Sequence, residues 1–145
     1  MSRLLELEVK VQGFLDQIGL APEQSSDGLY LFKYGSTVVM ISLFEEEDDT
    51  FCRFASIMLK DFEPTLELLH RLLRLNTEVL FGSFLLFEDN TLSFSSTLLG
   101  NELEFSSFEK TLSYVAKVSD DYDDQLQALG GGKRASDVLS EASDP

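Results

Sequence analysis

The sequence holds one cysteine, one histidine, three prolines and no tryptophan, and only 11 basic residues stand against 26 acidic ones across its 145 positions. Each scarcity excludes something. Cys52 has no second thiol, so an internal disulfide is ruled out and a reducing compartment suits the chain. It lies in a strand-like stretch with no other Cys or His at ligand spacing, which leaves neither a nucleophile at a helix start nor a zinc ligand set. His70 is flanked by Arg71, and the sequence offers it no orienting carboxylate or nucleophile, so general-base chemistry lacks its other members. No catalytic constellation is present, and the chain is expected not to be an enzyme. No apolar run approaches the ~20 residues a membrane-spanning helix needs, and Met1-Ser2-Arg3 leads into an amphipathic pattern, not a signal segment. The formal charge of −15 repels phosphate backbones, whose capture depends on Lys and Arg. Neither nucleic acid nor membrane is therefore expected as a partner, and a soluble cytoplasmic protein is.

What is present is 43% apolar content with 12 phenylalanines, enough for the core of one domain. Leu4, Leu7, Val11, Phe14, Leu15 and Ile18 repeat at helical spacing from Ser2 to Ile18, and Gly19 and Pro22 stop that helix. Gln24 to Gly28 reads as a loop. Leu29–Tyr34, Thr37–Phe44 and Phe51–Leu59 are rich in aromatic and β-branched residues and read as three strands, the first pair joined by Gly35-Ser36. A Leu-rich helix follows, from about Pro64 to Leu75, with Asp61-Phe62-Glu63-Pro64 at its start. Phe84–Glu88 and Thr91–Leu98 then form a hairpin closed by Asp89-Asn90, both tolerant of positive φ. Its second strand alternates Leu92, Phe94 and Leu98 against Ser93, Ser95 and Thr97, as a half-solvated, edge-like strand does. The last helix is expected to start near Ser106 or Ser107. It gains Asp120, Asp121, Asp123 and Asp124 against the macrodipole and should end at Gly130-Gly131-Gly132. The fold class is thus α+β, a single domain in the order α-β-β-β-α-β-β-α over residues 1–128, with 129–145 a flexible polar tail.

Two patterns bear on function. In Thr37–Phe44, Val38, Met40 and Phe44 point one way while Val39, Ile41 and Leu43 point the other, so neither face is polar. A sheet with helices on one side should be polar on its second side. Either the chain's own loops and termini cover that second face, or a partner does. The Leu-rich helix carries apolar residues over about half its circumference, wider than the ~100° stripe that one packed layer needs. Leu68, Leu72 and Leu75, with Val39, Ile41, Phe54 and Met58 of the strands, form the candidate dimer or peptide-binding surface. The second turn, Glu45-Glu46-Glu47-Asp48-Asp49, gathers five carboxylates, but without the alternating spacing of a loop that wraps Ca²⁺. It reads first as a solvated hairpin tip that discourages edge pairing. The alternative is a cation or small-molecule sensor that uses this turn or a pocket between helix and sheet.

The order of elements, together with Leu75-Asn76, Phe81-Gly82-Ser83-Phe84, Glu88-Asp89-Asn90, Leu92-Ser93-Phe94 and Asp121-Tyr122-Asp123-Asp124-Gln125-Leu126, resembles the type III secretion chaperones and the related YbjN family. Asp89-Asn90 stands where that family often has Asp-Gly. The resemblance implies a five-stranded antiparallel sheet with helices on it, no cofactor, and binding of a polypeptide client by an acidic homodimer.

Overall fold

The computed structural model describes residues 2–24, 29–35, 37–130 and 133–134. The order is α1 (Arg3–Ile18), β1 (Glu23–Gln24), β2 (Leu29–Tyr34), β3 (Thr37–Glu46), β4 (Asp49–Lys60), α2 (Leu66–Leu75), β5 (Ser83–Leu86), β6 (Leu92–Leu99), α3 (Phe105–Gly130) and β7 (Lys133–Arg134). Five long strands form one antiparallel sheet in the order β2-β3-β4-β6-β5, and the two-residue β1 and β7 add to it beside β2 and β4. The α+β architecture and its element order are as the sequence implies.

Helix ends follow local chemistry. Ser2 Oγ accepts the Leu5 N–H at 3.1 Å to open α1, and Gly19 closes it at φ 91°, its N–H donating to Leu15 and Asp16 carbonyls. Thr65 Oγ1 accepts the Leu68 N–H at 3.1 Å, so α2 begins at Leu66, two residues later than the Pro64 start expected from the sequence. A proline before the cap belongs to the entering chain and not to the first turn. α3 starts at Phe105, ahead of the expected Ser106, and runs to Gly130. Its last turns persist past four aspartates because Leu126 is fully buried and Arg71 of α2 donates to Gln125 Oε1 at 2.8 Å.

The core lies between the sheet and the helices. α1 rests on β3 and β4, α3 crosses β3, β4 and β6, and α2 packs on α3 and β5. Phe54 of β4 meets Phe108 of α3 at 5.2 Å between ring centroids, and Phe108 in turn meets Phe14 of α1 at 5.3 Å. The edge-like reading of Thr91–Leu98 is corrected. β6 lies between β4 and β5, and Ser93, Ser95 and Ser96 are buried. Ser93 Oγ satisfies itself by donating to the Ser56 carbonyl at 2.7 Å. The tail boundary is also redrawn. Leu129 and Gly130 belong to α3, and Lys133–Arg134 pairs with Leu59–Lys60 of β4, while 131–132 and 135–145 lie outside the described residues, as do 25–28 and Ser36.

Candidate functional site

Directly paired residues in an antiparallel ladder share a face, and successive residues alternate between faces. The register Tyr30↔Ile41↔Phe54↔Ser96 therefore puts Tyr30, Ile41 and Phe54 on the side of Phe108 and the helices. The neighbouring register Leu31↔Met40↔Ala55↔Ser95↔Ser83 lies on the other side.

All seven candidate surface residues fall on the buried side. Val39, Ile41, Phe54, Met58, Leu68, Leu72 and Leu75 are each at most 6% exposed and belong to the core cluster. A partner could reach them only by unfolding the domain. The sequence separated the two faces of β3 correctly, but the residues selected from it face the helices.

The opposite face has no helix over it among the described residues. It carries Leu29, Leu31, Met40, Phe44, Phe51, Ile57 and Leu85, all half-buried, and the exposed Leu99, none of them part of the core cluster. Its floor is made of small side chains. Ala55, Ser93 and Ser95 sit low in the middle, with Met40 and Ile57 on the β3 and β4 side and Leu85 on the β5 side, a trough with apolar walls. One end is closed by Phe44 stacked on Phe51 at 5.4 Å, with the Arg53 guanidinium over Phe44 at 4.9 Å and its Nε donating to Thr97 Oγ1 at 3.1 Å.

A second apolar surface lies at the β5 margin. Leu73 on α2, Leu80 and Phe81 before β5, and Leu86 and Phe87 at its end are exposed. The segment between α2 and β5 is fixed at both ends. The Phe84 N–H donates to Asn76 Oδ1 at 2.6 Å, the Leu80 N–H donates to the Tyr114 hydroxyl at 2.7 Å, and Phe81 stacks on Tyr114 at 4.2 Å. Gly82 has φ 105°, and a Cβ there would lie 2.6 Å from the Ser95 carbonyl oxygen. The motifs Leu75-Asn76 and Phe81-Gly82-Ser83-Phe84, separate in sequence, are thus one joint.

The acidic turn serves the hairpin. Glu47 takes φ 54°, Arg3 Nη1 donates to the Asp48 carbonyl at 2.6 Å, and Asn101 Nδ2 donates to Asp49 Oδ1 at 2.8 Å. Asn101 Oδ1 also accepts from Thr50 Oγ1 at 2.8 Å, which ties β4 to the loop before α3. Among the described residues, no three His, Cys, Asp or Glu side chains are placed to hold a metal ion, and no helix is long and apolar enough to cross a membrane. Cys52 is fully buried under the helices, and burial pushes its thiol pKa up.

Three solved structures share the fold. The ExsC–ExsE complex gives a TM-score of 0.70 at 15% identity, over 87% of this chain and 97% of that one. The Yersinia pestis type III secretion chaperone SycH, in complex with a stable fragment of YscM2, gives 0.59 at 16% identity, over 79% and 98%. The HopA1–SchA chaperone–effector complex gives 0.62 at 11% identity, over 81% and 94%. No curated protein matches the sequence. The family model described as T3SS (YopN, CesT) and YbjN peptide-binding chaperone 1 matches residues 6–138. Nearly the whole folded chain is covered, so the protein belongs to this family of peptide-binding chaperones.

Proposed function

We propose that the protein is a non-catalytic homodimer that holds an extended segment of a client polypeptide in the trough on its open sheet face. One observation carries this reading: eight apolar side chains lie on a face that the domain's described helices leave uncovered. Each leucine-sized group a client covered there would contribute about 1.5–3 kcal/mol of transfer free energy, and the small floor leaves room for a client side chain. The similar structures named above are complexes, two of them described as chaperones with a bound fragment or effector, which supports a polypeptide as the occupant. The β5 margin supports the dimer, because an isologous contact needs only one self-complementary surface and monomers rarely leave an extended apolar patch in water. A reducing cytoplasm suits the single thiol, Cys52.

The test uses a permanently unfolded, dye-labelled reporter protein and fluorescence anisotropy. Met40→Asp and Ile57→Asp should weaken binding by about tenfold or more, roughly 1.4 kcal/mol, while circular dichroism stays unchanged. Unaltered binding by both folded variants would refute the trough as the client site.

A further inference from the structure

Part of α2 is locally basic on this acidic molecule. α2 carries His70, Arg71 and Arg74 within five residues, against one carboxylate, Glu67. At 100° per residue Leu66, His70 and Arg74 share the outer side of the helix, and Arg71 lies a further 60° round, toward α3. Together with Glu67, which falls between Arg74 and Arg71 round the helix, and with Leu129 of α3, these residues line a groove of about 500 Å³ in which three groups that can carry positive charge stand against one carboxylate. It lies on the helix side of the sheet, away from the trough, and uses none of the trough's residues.

Arg71 is prepared for a ligand. Its Nε donates to Gln125 Oε1 at 2.8 Å, which fixes the guanidinium plane and leaves its two terminal nitrogens unused among the described residues. A guanidinium held in this way meets a carboxylate through two parallel hydrogen bonds with little further loss of freedom. Arg74 is exposed, and its side chain makes no hydrogen bond or ion pair with the described residues. Leu66, 71% exposed, and the half-buried Leu129 offer apolar contact beside the two guanidinium groups.

We propose that this groove is a second subsite for the client, and that it takes an acidic segment in which an Asp or Glu lies next to a leucine-like residue. The proposal rests on the reading of the protein as a polypeptide binder and adds the chemistry of the segment bound. Charge complementarity selects the occupant. The net −15 of the chain acts from a distance and is screened over about 8 Å at physiological salt, whereas a carboxylate between Arg71 and Arg74 is within hydrogen-bonding reach. A basic segment would leave both guanidinium groups unpaired and facing like charge.

The probe is a dye-labelled ten-residue peptide of Asp, Glu and Leu, with a second in which Lys replaces every acid. The acidic peptide should bind at least tenfold more tightly than the basic one, and Arg74→Gln should remove about tenfold of that affinity, with Arg71→Gln acting in the same direction. Ile57→Asp, in the trough, should leave it unchanged. Equal binding of the two peptides, or acidic-peptide binding indifferent to both arginine variants, would overturn the proposal. So would tighter acidic-peptide binding after deletion of residues 135–145, since the occupant would then be the chain's own Asp137 to Asp144. The unfolded reporter separates the two readings: if it still binds while the acidic peptide does not, the groove fails and the trough stands.

Discussion

Gly82 combines a left-handed backbone at φ 105° with a Cβ position 2.6 Å from the Ser95 carbonyl and 2.9 Å from the Phe94 ring. Alanine there is strained twice, by conformation and by contact with backbone that cannot give way, so Gly82→Ala should cost about 2 kcal/mol or more by urea denaturation. Asp89 shows a second local device. The Thr91 hydroxyl, and after it the Thr91 N–H that Asp89 Oδ1 accepts at 3.0 Å, hold its carboxyl below the ordinary value of 3.8. A depressed carboxyl stabilises the folded state above the unfolded pKa, and that contribution is lost as pH falls through the folded one. Carboxyl NMR titration should find Asp89 ionised below its ordinary midpoint, with Thr91 N–H shifting on the same curve. Asp89-Asn90 was readable as a turn because both residues tolerate positive φ, and Asn90 adopts 61°. Asn76 was less readable. It is the C-cap residue of α2, yet its side chain spans eight positions to bond Phe84, and nothing in a one-dimensional pattern sets that distance.

Among elements, α2 separates burial from exposure most sharply. Leu68 is fully buried and Leu73 is 69% exposed, although both are leucines of one ten-residue helix. Leu68→Asp should unfold the domain, because an unpaired charge would enter the core. Leu73→Asp should keep the circular dichroism spectrum and lower the mass seen by light scattering toward that of one chain at tens of micromolar. A folded Leu68→Asp, or a Leu73→Asp of unchanged mass in a dimeric protein, would contradict this division. The breadth of the leucine arc was visible in the sequence, but which part of it meets α3 depends on Arg71 reaching Gln125, a contact between elements 54 residues apart. The strands teach the same lesson. Alternation separated Met40 from Val39 and Ser93 from Phe94, and a one-residue change of parity moves every side chain to the other face. With apolar residues on both sides, the pattern held no information on which side Phe108 would cover. The sequence therefore gave notice of a second apolar face without identifying it.

At the scale of the molecule, charge remains the property that composition states most directly. Lys117 Nζ meets Asp121 Oδ2 at 2.8 Å in a salt bridge whose two partners are both largely exposed. A pair of that kind stabilises little. The net −15 of the chain is a source of repulsion between carboxylates, which compaction brings closer than the unfolded chain does. Raising sodium chloride from ~10 to ~150 mM shortens the screening length from about 30 to about 8 Å, so stability should rise. A gain of about 1 kcal/mol corresponds to several degrees in Tm for a domain of this size. Scanning calorimetry should show that increase. Self-association should respond in the same direction, because two copies of a −15 chain repel until salt screens them and the Leu73 to Phe87 margin is apolar. Binding of an acidic peptide between Arg71 and Arg74 should respond in the opposite direction. Salt would screen the long-range repulsion and the short-range attraction together, and the contact pair is the larger part once the peptide is docked. Sedimentation that tightens with salt while peptide anisotropy falls would place the two events on different surfaces, whereas parallel salt slopes would mean that α2 presents one surface to both.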